Sequence, residues 1–436
     1  MLCFLRANQL IVLIFLLSGL LSCSKPDKIK EPELFKILPG NLTGINFTNS
    51  LTDTPALNIL SYLYYYNGAG VAAGDLNNDG LEDLFFASNM GENKLYLNRG
   101  QLQFEDISKE AGIVAGGWST GVSVVDINAD GWLDIYVCQV GMLESIKGRN
   151  KLYINQGLNK NGIPTFIESA ASYGLDFAGY ATQAAFFDYD LDGDLDVYLL
   201  NHSVHPNRNY GRGNQRRVPD PFSGDKLLRN DGNTFKDVTE EAGIFSGKIG
   251  YGLGVGISDL NDDGYPDIYV GNDFFENDYL YINQKDGTFK EIIHQDKNVL
   301  GHTTHFSMGN DLADFNNDGA IDILSMDMLP EDLVTYKASG NEFNYDIYGA
   351  YLKNGYAPQY MQNTLHLNRK NGFFSEMAYF SGVAASEWSW SGLFTDFDND
   401  GFKDIFISNG IFGATNDMDY ISFISSENIQ KRLDAG

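Results

Sequence analysis

The sequence predicts an all-β fold assembled from four-stranded blades, on three observations. An aspartate-rich loop of nine residues occurs six times, each copy followed at once by an apolar, largely β-branched or aromatic run. After five of the six copies, two further strand-like runs follow in the same order. Aromatics at 13% and 47 glycines among 436 residues suit many short strands joined by tight turns.

The loops read Asp75-Leu-Asn77-Asn-Asp79-Gly80-Leu81-Glu-Asp83, Asp126-Ile-Asn128-Ala-Asp130-Gly131-Trp132-Leu-Asp134 and Asp188-Tyr-Asp190-Leu-Asp192-Gly193-Asp194-Leu-Asp196. The second three read Asp259-Leu-Asn261-Asp-Asp263-Gly264-Tyr265-Pro-Asp267, Asp314-Phe-Asn316-Asn-Asp318-Gly319-Ala320-Ile-Asp322 and Asp396-Phe-Asp398-Asn-Asp400-Gly401-Phe402-Lys-Asp404. Carboxylates this close repel one another unless a cation sits among them. Side chains at positions 1, 3 and 5, a sharp turn at the glycine of position 6 and a carbonyl at position 7 make an oxygen cage for Ca²⁺. Leu81, Trp132, Asp194, Tyr265, Ala320 and Phe402 would therefore contribute through their carbonyls, and the Asp194 side chain is expected to face solvent. An EF-hand needs a bidentate Glu at position 12 on an outgoing helix. Position 12 is Phe86, Val137, Leu199, Val270, Ser325 and Ile407, so the loop joins two strands and is not an EF-hand.

The loops begin 51, 62, 71, 55 and 82 residues apart, a repeat length typical of propellers and arrays. A strand with small residues leads into each loop, such as Gly252-Leu-Gly-Val-Gly-Ile257, and a second strand leaves it. Third strands are Asn93–Asn98, Asn150–Asn155, Asp225–Asn230, Asp278–Asn283 and Asn363–Asn368; fourth strands start at Phe104, Phe166, Phe235, Phe289 and Phe374. Four antiparallel strands per unit, with small residues on the innermost, describe the blade of a β-propeller.

These residues resemble FG-GAP/VCBS-type repeats, related to the blades of integrin α-subunits, over roughly residues 65–410. The resemblance implies Ca²⁺ in all six loops, with Asp83, Asp134, Asp196, Asp267, Asp322 and Asp404 at position 9 completing the ligand sets. It also implies a bacterial outer-membrane lipoprotein, often followed by an ASPIC/UnbV-type module that is not visible in this sequence. Loops starting at Asp188 and Asp396 carry four ligand carboxylates each and are expected to hold Ca²⁺ most tightly.

A formal charge of −28 argues against nucleic acid or an anionic membrane surface as partner. Twenty of the 58 acidic residues sit at ligand positions, and six Ca²⁺ would offset 12 charges. Residues 1–22 read as a signal peptide, with Arg6 before an apolar core from Leu10. Leu20-Leu21-Ser22-Cys23 resembles a lipobox, which makes Cys23 the lipidated residue and places the protein in the bacterial cell envelope, on either membrane face. An ordinary secretory signal is the alternative. Residues 23–40 read as a tether, 41–410 as the propeller and 411–436 as a helical segment. The run Gly44–Asn49 is expected to be a strand, able to close the ring against the last blade. Closed six-bladed and truncated seven- or eight-bladed forms both fit. Cys138, in an apolar run, reads as a core residue.

Candidate chemistry is sparse. Gly117-Trp118-Ser119-Thr120-Gly121 matches a nucleophile elbow but precedes a strand rather than a helix. His202/His205 and His302/His305 form H-x-x-H pairs without the further ligands zinc sites use. Eight residues before each loop stand Asn67, Trp118, Tyr180, Tyr251, Phe306 and Trp388, which read as packing between blades or as a ring-stacking platform. Two insertions follow second strands: Asn201–Gly224, with four Arg, and Met326–Gln362, with six Tyr. Loops that exceed the repeat are where binding sites usually lie. The reading is a non-catalytic binding or adhesion module for protein or glycan. The alternatives are a polysaccharide lyase or hydrolase using Tyr210, His205 and Arg212, or a subunit of a nutrient-uptake complex.

Overall fold

The computed structural model describes residues 34–114, 116–205, 211–339, 345–410 and 417–419. The chain divides into two units, 1–38 and 39–436; of the first, residues 34–38 are described and exposed. The signal and lipidation reading at residues 1–23 lies outside the described residues, as does nearly all of 411–436.

Five four-stranded antiparallel sheets follow one another, each with its strands in chain order from inside to outside. They are β1–β4 (Val71–Gly74, Asp83–Phe86, Lys94–Asn98, Phe104–Asp106) and β5–β8 (Trp118–Val125, Asp134–Val140, Lys151–Leu158, Pro164–Glu168). Next come β9–β12 (Ala181–Phe187, Asp196–Asn201, Lys226–Asn230, Phe235–Asp237) and β13–β16 (Gly252–Ser258, Asp267–Asn272, Tyr279–Asn283, Phe289–Glu291). The fifth is β18, β19, β21 and β22 (Asn310–Ala313, Asp322–Ser325, Thr364–Asn368, Phe374–Glu376). Two-residue strands β17 (Thr303–Thr304) and β20 (Gln359–Tyr360) pair in parallel beside it. The sixth sheet holds β23 (Ser389–Thr395) and β24 (Asp404–Asn409).

First strands of successive sheets lie side by side, in the order β1, β5, β9, β13, β18, β23. Small residues there are a steric requirement. A Cβ on Gly252 would fall 2.3 Å from Leu200 Cδ1, and one on Gly256 2.7 Å from Leu312 Cγ. The apolar core lies between blades. Leu95, Leu97 and Phe85 of the first sheet pack on Ile135, Val137 and Tyr153 of the second, and equivalent clusters fill the next four junctions. A cavity of ≈ 390 Å³ draws lining residues from all six innermost regions, among them Gly70, Thr120, Thr182, Leu253, Gly309 and Ser391. The sheets therefore surround a common axis, as a β-propeller does.

Gly44–Asn49 departs from the expectation. It forms no strand and follows a single helical turn, Gly40–Thr43. Phe47 stacks on Phe86 at 5.0 Å, the Asn46 amide donates to Tyr96 Oη, and Asn49 Oδ1 accepts from the Asn89 amide. Side-chain contacts thus fasten this segment to the first blade, and it makes no ladder with the sixth. Residues 51–66 then cross the start of the innermost strands, where Tyr62, Tyr64 and Tyr65 bury against Trp118, Val140 and Tyr251.

Candidate metal loops and the insertion face

All six Asp loops share one backbone. Position 4 is left-handed in every copy (Asn78, Ala129, Leu191, Asp262, Asn317 and Asn399, φ 55–60°), and so is the Gly at position 6. That geometry aims amides inward. The Asp126 carboxylate accepts the Asp130 and Gly131 amides at 3.0 and 2.8 Å, and the same pair of bonds recurs at Asp75, Asp188, Asp259, Asp314 and Asp396. At position 5, one oxygen of Asp79, Asp130, Asp192, Asp263, Asp318 or Asp400 accepts the position 7 amide. Where position 3 is Asn (Asn77, Asn128, Asn261, Asn316), its amide donates to the other oxygen at 2.9–3.1 Å.

Position 9 works as a latch. Asp134 is fully buried; its Oδ2 accepts the Ile127 amide and its Oδ1 the amide of Asn155 on the third strand, at 3.1 and 2.7 Å. Asp83, Asp196, Asp267 and Asp322 do the same with Asn98, Asn230, Asn283 and Asn368. The Asn side chain adds a second tie, its Nδ2 donating to the position 8 carbonyl at 2.9–3.2 Å, which accounts for the last Asn of each of these third-strand runs. Burial pushes the Asp83 and Asp134 carboxyls up to about 6 and those of Asp196 and Asp267 up to about 7; the loop's other aspartates add to the rise. Asp404, in the two-stranded blade, is exposed.

Two loops gather ligand oxygens from three carboxylates within 4.8 Å: Asp188, Asp190 and Asp196, and Asp396, Asp398 and Asp404. They are the two with Asp at position 3. In the first, Oδ1 of Asp190 and Oδ1 of Asp194 are buried without a hydrogen-bond partner, a donor set that fits a hard divalent cation. The Asp194 side chain is half-buried, with one oxygen out of solvent, contrary to the expectation that it faces solvent, and burial with the neighbouring aspartates pushes its carboxyl up. In the fourth and fifth loops an ammonium stands near position 5 instead: Lys285 Nζ lies 3.4 Å from Asp263 and Lys370 Nζ 3.7 Å from Asp318.

Antiparallel pairing puts the connections after second strands at the opposite end of each blade, and there the two insertions meet. The first contains a 3₁₀ turn, Gly213–Arg217; the second contains helices Leu333–Ser339 and Tyr345–Lys353. Gly213 donates its amide to the Asn354 carbonyl, and Tyr356 donates its hydroxyl to the Gly211 carbonyl. Arg216 lies beneath, with Nε 2.9 Å from Glu276 of the fourth blade and its guanidinium 5.4 Å from the Tyr356 ring centroid. Glu276 has no exposed side-chain surface, and burial pushes its carboxyl up against the pull of Arg216 and His294.

Other candidates resolve into packing. Ser119 is buried and accepts from Gln139 Nε2, with no imidazole among its hydrogen-bond partners. His202 is buried between Tyr62 Oη and Thr182 Oγ1, both at 3.0 Å, and burial pulls its pKa down to about 3. His205 instead pairs with Asp220 at 2.9 Å, so that H-x-x-H pair has separate partners. His302 and His305 likewise bond Gln362 and Gln359. Trp118 and Tyr251 are buried under the tyrosines of residues 62–65, with Tyr180 packed beside them, and Phe306 meets Phe274 edge to face. Cys138 is buried and its thiol pKa is pushed up. Arg212 flanks the 3₁₀ turn, and Tyr210 lies outside the described residues.

A family described as FG-GAP-like repeat matches residues 75–137 and 259–325, each match running from one Asp loop to the second strand of the following blade. The chain carries FG-GAP-like repeats. Cartilage acidic protein 1 of Xenopus tropicalis is 26% identical over 213 residues, 48% of this chain and 29% of that protein, so the chain spans less than a third of this relative's length. A lectin of Agrocybe aegerita that recognises non-reducing terminal N-acetylglucosamine superposes with TM-score 0.44 at 17% identity, covering 77% of this chain and 73% of the lectin. A gluconolactonase of Xanthomonas campestris gives TM-score 0.37 at 9% identity, over 79% of this chain and 85% of that one.

Each four-stranded blade also has a second latch that the sequence reading passed over, at the insertion end. The first residue of the third-strand run accepts the backbone amide of the fifth residue after the position 9 Asp: Asn93 from Ser88, Asn150 from Gln139, Asp225 from Asn201, Asp278 from Asn272 and Asn363 from Asp327. The signal was present as Asn or Asp opening every third strand. Among the described residues, no helix is long and apolar enough to cross a membrane.

Proposed function

We propose that this propeller is a calcium-stapled, non-catalytic binding module held on the bacterial envelope through Cys23, and that its ligand, protein or glycan, docks on the insertion face. One observation carries the reading. Six loops at one end share a single geometry, whereas the other end alone is elaborated, by two insertions that bond to each other across the fourth blade. Calcium is then structural, one ion per blade. The loops' carboxylates and buried, orphaned oxygens supply the ligands, and position 9 couples each site to the third strand.

Tyr345 (89% exposed) and Tyr360 (49%) present aromatic surface on the second insertion, the amphipathic kind that binding faces favour. The test is capture from glycan arrays and envelope extracts by the chain lacking residues 1–23, against a Tyr345→Ala/Tyr360→Ala variant. Equal capture by both would remove the insertion face from the account.

A further inference from the structure

At the loop end, the junction between the fourth and fifth blades departs from the repeat at two positions, and a groove of ≈ 660 Å³ lies there. The first departure is at position 4. Asn78 Nδ2 of the first loop donates to the Gly131 carbonyl of the second at 3.2 Å, and Asn317 Nδ2 of the fifth donates to the Gly401 carbonyl of the sixth at 2.9 Å. Each bond ties one loop to the next. The fourth loop has Asp262 in that place, with the same left-handed backbone (φ 58° against 57° at both Asn). A carboxylate has no proton to donate. Two acceptors, Asp262 and the Gly319 carbonyl, therefore line one groove without the donor that joins those other loops.

The second departure is at position 7, where the side chain covers the turn after its own third strand. A Cβ on Gly157 would fall 3.5 Å from the Trp132 ring and one on Gly100 3.9 Å from Leu81 Cδ1, while Lys285 stands 5.3 Å over the Tyr265 ring. The fifth loop has Ala320 there, which ends at Cβ. The groove therefore reaches the half-buried side chains of Ile282 and Ile292 on the fourth blade and of Ile321 and Phe374 on the fifth. Asp262 is exposed and makes no hydrogen bond or ion pair among the described residues. Lys370, the basic residue in the groove wall, is held elsewhere: its Nζ bonds the Asp318 carbonyl and stands 3.7 Å from that carboxylate.

We propose that this groove takes an arginine-bearing segment of a partner polypeptide, its guanidinium bridging Asp262 and the Gly319 carbonyl and an adjacent apolar side chain resting on Ile292 and Phe374. A guanidinium carries five N–H donors in a planar fork and no acceptor, so one group serves both oxygens, and its aliphatic stem suits the apolar floor. The chain's formal charge of −28 favours a cationic partner. This site lies at the opposite end of the blades from the insertion face and does not rest on that reading.

The test is a saturation-transfer NMR titration of acetyl-Leu-Arg-Leu-amide on the full chain, beside the same peptide with citrulline, which keeps the shape and loses the charge. Saturable binding is expected, and citrulline should weaken it about tenfold, the value of one hydrogen bond to a charged group. Asp262→Asn restores the tie of the other loops, and Ala320→Trp fills the groove with the residue of the second loop. Each should weaken binding as much, and since other copies of the loop already carry those residues, the fold is expected to survive. The Tyr345→Ala/Tyr360→Ala variant should bind the peptide as the unaltered chain does, which separates this site from the insertion face. No saturable binding, the result if a segment of this chain fills the groove, would overturn the proposal. So would equal binding of the citrulline peptide, unchanged binding by both loop variants, or a loss in the tyrosine variant.

Discussion

The two ends of this propeller are built on different principles. At the loop end, six copies of one nine-residue turn hold their amides and carboxylates in the same places, and what varies is the charge at positions 3, 4, 7 and 8. At the insertion end the repeat supplies only a latch residue, and unique segments cover it: the tyrosines of residues 62–65, the 3₁₀ turn at 213–217 and the helices of 333–353. Repetition serves stability, because a geometry that must be identical in each blade does not discriminate one ligand from another. Departures from repetition are where a ligand can be recognised.

If the loop end is a set of staples, its largest single effect comes from a buried latch. Asp134→Ala leaves two buried amides without an acceptor, at roughly 1–3 kcal/mol each, whereas Asp404→Ala should cost under about 1 kcal/mol because that residue is exposed. Urea unfolding of both variants at fixed Ca²⁺ measures the contrast, and equal losses would break it. At the insertion end, Arg216→Ala should cost about 3 kcal/mol by stranding Glu276 in the interior. Arg216→Met with Glu276→Leu should cost less than either single change, read by the same unfolding curves.

A smaller effect separates blades by pH. Burial pushes the Asp225 carboxyl up to about 7, while the equivalent residue is Asn in the first, second and fifth blades. Between about pH 4 and 7 the unfolded chain gives up this proton and the folded chain keeps it, so the residue's contribution falls as pH rises and levels off above 7. Asp225→Asn should therefore be near neutral at pH 4 and stabilising at pH 8, and a gain confined to low pH would contradict the assignment. Smallest is Tyr345→Ala, which should move stability by less than about 0.5 kcal/mol and yet reduce ligand capture.

The loop end was almost wholly legible in sequence, because its constraints are local. A turn that needs Gly at position 6 and oxygens at 1, 3 and 5 shows them within nine residues. The third strands were legible too, since Leu152 and Asn155 answer to one register and one latch. What lay across long separations was not. Nothing near Gly211 announces Tyr356, 145 residues away, and nothing near Tyr62 announces His202. Gly44–Asn49 has the composition of a strand, but Phe47 and Asn49 find side-chain partners on the first blade in place of a ladder. Asp194 misled for a different reason: at a position that usually contributes its carbonyl, here a carboxylate is half-buried, with one oxygen out of solvent.

The central claim is that cations at the six loops hold the blades together. It is tested most directly by melting the chelated protein across a Ca²⁺ titration. A ligand at 100 times its dissociation constant adds about 2.7 kcal/mol per site, so the melting temperature should climb with Ca²⁺ until six equivalents are bound, the loops at Asp188 and Asp396 filling first. A melting temperature indifferent to Ca²⁺ and to chelator would contradict the account.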